Sequence, residues 1–468
     1  MKKIINSNKK VKDKSKTVKN KSQDNIAELQ NKFLNLGVLI PEILLPKKGI
    51  DLKKWSVVAC DQYTSQEDYW DNVEKFVGQN YSTLKITLPE IYLENNDVTK
   101  RIKNINSEMQ KYLKEKILVS QKPGFIFVDR STNHTKSRKG LIVALDLEKY
   151  DFTKGSKTLI RATEGTVVER LPPRIKIREK ASIELPHIMV LIDDPKMTVI
   201  EPLQNSKLEK VYDFDLMMNS GHIKGFLVNK PNDINKVYSA LEKLSDKKSF
   251  YEKYNLKKDE PVLLFAMGDG NHSLATAKKI WEEKKKNLEP KYKNVHPARF
   301  ALVELVNVHD PGLKFEPIHR VVFNAPKDIF DKMKKYYSDN GSSFEFVKGT
   351  KEPKINSKKA HIIKYVYGKD KGFIVINNPK LNLEVGSLQA FLDYLVKNDK
   401  NVKIDYIHGD EVVCELGSKQ GNIGFLLPIM QKTELFRTVI LDGVLPRKTF
   451  SMGHADEKRF YLEARKIV

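Results

Sequence analysis

Cysteine is nearly absent from this chain of 468 residues, which has only Cys60 and Cys414. Two isolated thiols exclude a disulfide framework and a cysteine-based zinc cluster, so the cores must hold by packing alone. Long apolar runs are missing too. No stretch of 18 apolar residues occurs, and the first residues lack the apolar centre of a signal peptide. The expectation is a soluble, cytoplasmic protein. Familiar catalytic signatures are also lacking: no Gly-x-x-x-x-Gly-Lys-Ser/Thr loop, no Gly-x-Ser-x-Gly elbow, no His-Glu-x-x-His helix and no internal repeat.

What is present suffices for packed cores. Hydrophobic residues make up 40% and aromatics 9% of the chain, and the length fits roughly two to four domains. The net charge of +23 is carried largely by lysine and is uneven. Residues 1–22 hold nine lysines against Asp13, too polar a tail to fold alone. A disordered basic tail over 1–23 is expected, able to touch nucleic acid but more in keeping with a solvated segment. Composition shifts near 230 and 325 divide the rest into an N-terminal region (24–230), a central region (231–325) and a C-terminal region (326–468).

The most informative stretch is Leu263–Ala277. Leu263–Met267 reads as a buried strand. Gly268 and Gly270 bracket Asp269 and permit positive φ with close backbone approach. Asn271 is a suitable N-cap for a helix carrying Leu274, Ala277 and Trp281, with Lys284–Lys286 at its far end. A helix start beside Asp269 and His272 is a seat for phosphate, with Gly268, Gly270, Asn271 and Ser273 around it. A plain strand-to-helix turn with a capping aspartate reads equally well from the local pattern.

Other segments group around it. A helix after Asp24 uses Ile26, Leu29 and Phe33. Trp55–Cys60 reads as a buried strand running into a polar loop at Asp61, and Thr64 with Glu67 as a capping box before Tyr69, Trp70, Val73 and Phe76. Val98–Leu113 is an amphipathic helix. Strands are expected at Phe125–Asp129, Leu141–Leu147, Val167–Leu171 and His187–Ile192, and a helix from Asp233. Ile160–Arg174 packs arginines and glutamates around Gly165, Pro172 and Pro173. It reads either as a solvated hairpin or as a guanidinium cluster for phosphate or carboxylate. Ala298–Val308 and Phe315–Val321 read as a hairpin about His309–Leu313. His309, Asp310 and Glu316 match no standard zinc spacing; His319 and Arg320 border an apolar strand. Helices at Ile329–Tyr337 and Leu388–Val396, a strand at His361–Val366 and a terminal helix after His454 complete an α+β reading, a mixed sheet with flanking helices.

Several stretches carry a resemblance: Trp55–Tyr63, Gln66–Trp70, Leu141–Asp146, Arg161–Arg174, Leu185–Pro195, Phe265–Ala277, Glu316–Arg320, Ile407–Glu411 and Pro446–Arg465. They resemble a family known as a domain of unknown function, number 1015. The Asp269-Gly270-Asn271-His272 turn is also similar to that of the ParB and sulfiredoxin-like nucleotide-binding fold, which includes an ADP-dependent free-serine kinase. That likeness implies a central strand-turn-helix unit, a glycine and histidine holding nucleotide phosphates, and ATP or ADP with Mg2+ as cofactor. Ser273 stands where such sites keep arginine, so Arg161, Arg170, Arg174, Arg320, Arg447 or Lys448 would have to supply the charge.

The leading expectation is a nucleotide-dependent phosphotransferase acting on a small metabolite, since phosphoryl transfer asks mainly for positioning and charge. Asp269, His272 and Asp61 are the expected catalytic residues, with Asp269 also a metal ligand. A ParB-like nucleic-acid module and a metal-dependent hydrolase using Asp269, His272 and His309 are the alternatives.

Overall fold

The computed structural model describes residues 26–166, 168–257, 259–354 and 359–468, with Arg170 described in its backbone alone. The expected disordered tail, the Asp24 cap and the Arg170 side chain fall outside these residues. Among them, no helix is long and apolar enough to cross a membrane.

The described strands build two large sheets, the first mixed and the second antiparallel throughout. The first takes Val38–Leu39 (β1), Phe125–Ser131 (β2), Arg138–Asp146 (β3), Tyr150–Asp151 (β4), Ile160–Arg161 (β5), Met189–Ile192 (β6), Glu209–Asp215 (β7), His222–Val228 (β8), Phe265–Asp269 (β9) and Phe300–Asn307 (β10). Their order is β7-β8-β2-β3-β10-β6-β9-β5-β4, with β1 paired to β3. The β10–β6, β9–β5 and β5–β4 pairs are parallel and the others antiparallel. Strands β3 and β10 are near-continuous apolar runs because both faces are covered. Leu141, Val143, Ala301 and Val303 pack with Leu29, Phe33, Ile234, Leu274 and Trp281 on one side. Ile142, Ala144 and Leu302 pack with Trp55, Trp70, Ile105, Tyr112 and Phe460 on the other. The first of these layers comes from the helix over 26–35, Pro231–Leu244 and Asn271–Lys286; Glu67–Val77 and Val98–Lys114 contribute to the second.

The second sheet takes Phe315–Phe323 (β11), Ser343–Lys348 (β12), Ala360–Tyr367 (β13), Asp370–Asn377 (β14), Lys403–His408 (β15), Ile423–Leu426 (β16) and Phe450–Met452 (β17). Its order is β12-β14-β13-β16-β11-β15, with β17 against the start of β11. Helices Ile329–Asp339 and Glu384–Asn398 cover one face, and Asp410–Ser418 packs through Val413 on the other. The α+β class, with a mixed sheet and flanking helices, is what the sequence leads one to expect; the second, antiparallel sheet adds to it. The first sheet draws strands from both sides of residue 230.

Four local expectations are corrected. The His309–Leu313 turn does not close a hairpin: β10 belongs to the first sheet and β11 to the second, so the turn hands the chain between them. The β-branched run before Pro172 is not a strand. Residues Val168–Arg170 form a 3-10 turn leading into helix Leu171–Arg178, whose first turn tolerates both prolines because its N–H groups need no helical partner. Glu67–Val77 has Gln66 as its N-cap without a side-chain bond, so no capping box forms at Thr64. After His454 there is no terminal α-helix. A single 3-10 turn at Ala455–Glu457 leads into a buried extended strap. Phe460, Tyr461, Leu462 and Ala464 are all buried, which one face of a surface helix could not achieve.

That strap explains the Trp55–Cys60 segment as well. Trp55 closes the short helix Leu52–Trp55, and the next residues run extended and buried against the strap rather than within a sheet. Val58 bridges Phe460, Ala59 N–H donates to the Arg459 carbonyl at 2.8 Å, and Trp55 Nε1 donates to the Leu462 carbonyl at 3.1 Å. Arg465–Lys466 then pairs antiparallel with Ile183–Glu184.

Candidate functional site

Strand β9 ends in a bulge. Its register on β6 jumps between Met267 and Asp269, leaving Gly268 as the extra residue. Gly268 is there for space rather than for positive φ: a Cβ would lie 3.1 Å from Leu191 Cγ and 3.2 Å from the Met189 carbonyl. The bulge turns Asp269 out at the strand's carboxyl end, where ligands of open sheets gather. Gly270 has φ +80 and is itself the N-cap of Asn271–Lys286, so Asn271 is the first helical residue rather than the cap. Buried Asn271 Oδ1 has no hydrogen-bond partner in the structure.

This helix start floors a cleft of about 150 Å3 lined by Asp61, Glu90, Glu164, Gly165, Arg174, Asp269, Gly270, Asn271, His272 and Ser273. Asp61, Arg174 and the Asp269–Ser273 turn therefore meet, although more than 200 residues separate Asp61 from Asp269. Glu90, Arg174 and Ser273 also line an adjoining pocket of about 130 Å3, whose walls include Ile86, Leu88, Leu93, Met109 and Ile177. A polar cleft opening on an apolar pocket is a common form of small-molecule site.

The charges are fixed by named partners. Asp269 Oδ2 lies 3.0 Å from Lys458 Nζ, and Oδ1 accepts the Gly270 N–H at 2.8 Å. Burial works against its charged form, but the Lys458 ammonium and the Gly270 N–H more than offset it and hold the carboxyl below the ordinary range. Glu164 goes the other way. Burial pushes its carboxyl up, against the Lys448 backbone N–H, and nearby Asp269 adds to the rise. Burial likewise raises Glu90, although Arg174 Nη2 pairs with its carboxylate. Behind the helix start, Cys60 N–H donates to Tyr461 Oη at 3.2 Å, Tyr461 Oη contacts His187 Nδ1 at 2.9 Å, and His187 Nε2 contacts Ser273 Oγ at 2.8 Å. Burial raises the Cys60 thiol, so it does not supply a thiolate.

Four other expected cations lie outside the cleft lining. Arg161 is buried, with Nε on the Thr158 carbonyl at 2.8 Å and Nη2 on the Pro261 carbonyl at 2.6 Å, and it does not line the cleft. Arg320 is fully buried and ties down the 447–448 loop through the Arg447 and Lys448 carbonyls, both at 3.0 Å. Arg447 and Lys448 stand over the Tyr406 ring on the second sheet, at 5.8 and 5.0 Å. None of these four lines the cleft, and Arg447 also pairs with Asp393 at 3.4 Å, but the Lys448 backbone N–H and the Lys448 and Arg320 charges act on the Glu164 carboxyl. His309 is held by Asp193 at 2.6 Å and lies outside the cleft lining, as do Asp310, whose carboxylate accepts the Lys139 and Gly312 N–H groups, and His319, which pairs with Asp410.

Sequence reasoning missed Glu90, Glu164, His187, Lys458 and Tyr461. Glu164 was within reach, since Thr163-Glu164-Gly165 sits in the charged stretch that drew attention for its arginines. Lys458 and Tyr461 were hidden by the expectation of a terminal helix.

No curated protein matches the chain. Among solved structures, a conserved hypothetical protein from Pyrococcus furiosus is 12% identical, with a TM-score of 0.33 over 70% of this chain and 94% of its own. A free serine kinase in complex with ADP is 11% identical, with a TM-score of 0.36 over 70% of this chain and 92% of its own. SbnI with a C-terminal truncation, from Staphylococcus aureus, is 9% identical, with a TM-score of 0.32 over 67% and 82%. The family described as "Protein of unknown function (DUF1015)" matches over residues 44–395, and this chain belongs to it.

Proposed function

We propose that the protein is a nucleotide-dependent phosphotransferase acting on a small metabolite. The observation that carries this reading is the convergence of a glycine-turned helix start, Arg174 and the carboxylates of Asp61, Glu164 and Asp269 on one cleft beside an apolar pocket. Helix starts favour phosphate, and phosphoryl transfer needs charge compensation more than covalent chemistry.

The donor set fits Mg2+, a hard cation that takes carboxylate and phosphate oxygens. Asp269 and Asp61 would hold it, and it would neutralise charge on the phosphates. Four carboxylates line the cleft against Arg174, with Lys458 paired to Asp269. Polyphosphate alone would meet a net negative wall. The Asn271–Ser273 helix start and His272 would orient the phosphates, and Arg174 would face them or a substrate carboxylate. Glu164, with its raised carboxyl, would take the proton from the acceptor hydroxyl as the new P–O bond forms and the bond to the leaving phosphate breaks.

Calorimetry with ATP, ADP, CTP and GTP tests the reading. At least one should bind in the presence of Mg2+, with affinity reduced about tenfold or more by EDTA and by His272→Ala. Absence of binding by all four with Mg2+ present overturns it. A screen of amino acids and other small hydroxyl compounds with labelled nucleotide then identifies the acceptor.

A further inference from the structure

Away from the cleft, one group of side chains among the described residues brings metal-ligating atoms together. His134, His454 and Glu457 each offer one such atom, all within 4.8 Å of one another. The two imidazoles are exposed and stacked, with centroids 4.2 Å apart. Beneath them the Glu457 carboxylate is buried and oriented, Oε1 accepting from Thr132 Oγ1 at 2.8 Å and Oε2 from His454 N–H at 3.0 Å. Such outer hydrogen bonds fix a carboxylate for ligation. His134 sits on a turn that is itself fixed, with its N–H on Thr132 Oγ1 at 3.1 Å and Thr132 N–H on the Thr135 carbonyl at 2.8 Å. Gly453, with φ +73, folds over the carboxylate, where a Cβ would lie 2.8 Å from Glu457 Oε2.

We propose that His134, His454 and Glu457 form a binding site for a transition-metal dication of the Zn2+ class. Two imidazoles and one carboxylate are the donor set that zinc accepts, and nitrogen donors select it over Mg2+. Zinc–nitrogen bonds of ~2.0–2.1 Å in a tetrahedron set donors roughly 3.3 Å apart, which rotation of exposed imidazoles can reach from the observed spacing. Asp456 Oδ2, 3.9 Å from His134 Nε2, or water completes the shell. The site would join the turn between β2 and β3 to the start of the strap, four residues before Lys458.

The test uses tag-free, chelator-treated full-length protein titrated with zinc against a chromophoric chelator. One zinc per chain is expected, with affinity lost tenfold or more in His134→Ala and in His454→Ala. His222→Ala is the control, because His222 bridges Asp213 and Asp215 elsewhere on the surface. Zinc should also raise the melting temperature of the parent protein but not of His454→Ala. Absence of stoichiometric binding, or full affinity in both His134→Ala and His454→Ala, overturns the proposal. So does a loss confined to His222→Ala.

Discussion

Glu164 and Asp269 face one cleft, yet their surroundings push their carboxyls in opposite directions. Asp269 is held in its charged form by Lys458, which suits a ligand for a cation. Glu164 is raised by burial and by Asp269 itself, which suits a group that exchanges a proton. If Glu164 is the base, it must be ionised to act. Activity should rise with pH through a limb above the ordinary glutamate value of about 4.3. Glu164→Gln should lower kcat by about 10²–10⁴-fold without weakening nucleotide binding, because it removes a negative charge from the wall. Steady-state rates and calorimetry on the same variant decide this; affinity falling in parallel with kcat would sink the role. Arg459 offers a stability test on a different footing. It is buried between Glu304 and Glu463, and Tyr212 Oη donates to Glu463 at 2.6 Å. Arg459→Met leaves two carboxylates buried without their cation, at a cost of about 3–5 kcal/mol, which urea unfolding would read as a shifted midpoint.

At the scale of elements, the β9–turn–helix unit is where local sequence and structure agree best. Its apolar run, paired glycines and lysine-ended helix all depend on near neighbours, so they are readable in the sequence. Gly270 alone requires positive φ, and a Cβ there would lie 3.1 Å from Ile188 Cα. Gly270→Ala should therefore cost about 1–2 kcal/mol or more and weaken any ligand at the helix start, while Gly341→Ala, at φ +73 with open space around it, should cost backbone strain without ligand effect. Thermal melts beside calorimetry separate the two. The failures share a cause. The second arm of the expected hairpin lies in another sheet, and the segment expected as a terminal helix is a strap, because in each case the partner that decides the conformation is remote in sequence. Arg459 and Glu463 illustrate this: their spacing is that of a helical ion pair, yet they pair across an extended segment packed on Val57–Ala59. The cleft's walls are obscure for the same reason, since Asp61, Glu164 and Arg174 converge only through the tertiary fold.

For the whole molecule, the basic excess and the cleft are separate matters. The cleft is rich in carboxylate, whereas nine lysines against Asp13 place +8 of the +23 net charge in residues 1–22. Deleting residues 1–22 should leave nucleotide affinity unchanged at physiological salt, while any binding to nucleic acid seen in gel shifts should fall and become less salt-dependent. The architecture also sets an order of assembly. The second sheet is built from Phe315–Met452, contiguous in the chain, whereas the first needs Arg459–Ile467 to cover Trp55 and Val58. On a ribosome the earlier sheet would emerge first and still be finished last. Until the strap arrives, the groove for Phe460 and Leu462 stands open to other chains, Asp269 lacks Lys458 and the adjoining pocket lacks Tyr461, so the same short segment that closes the core also decides when a ligand can first be held.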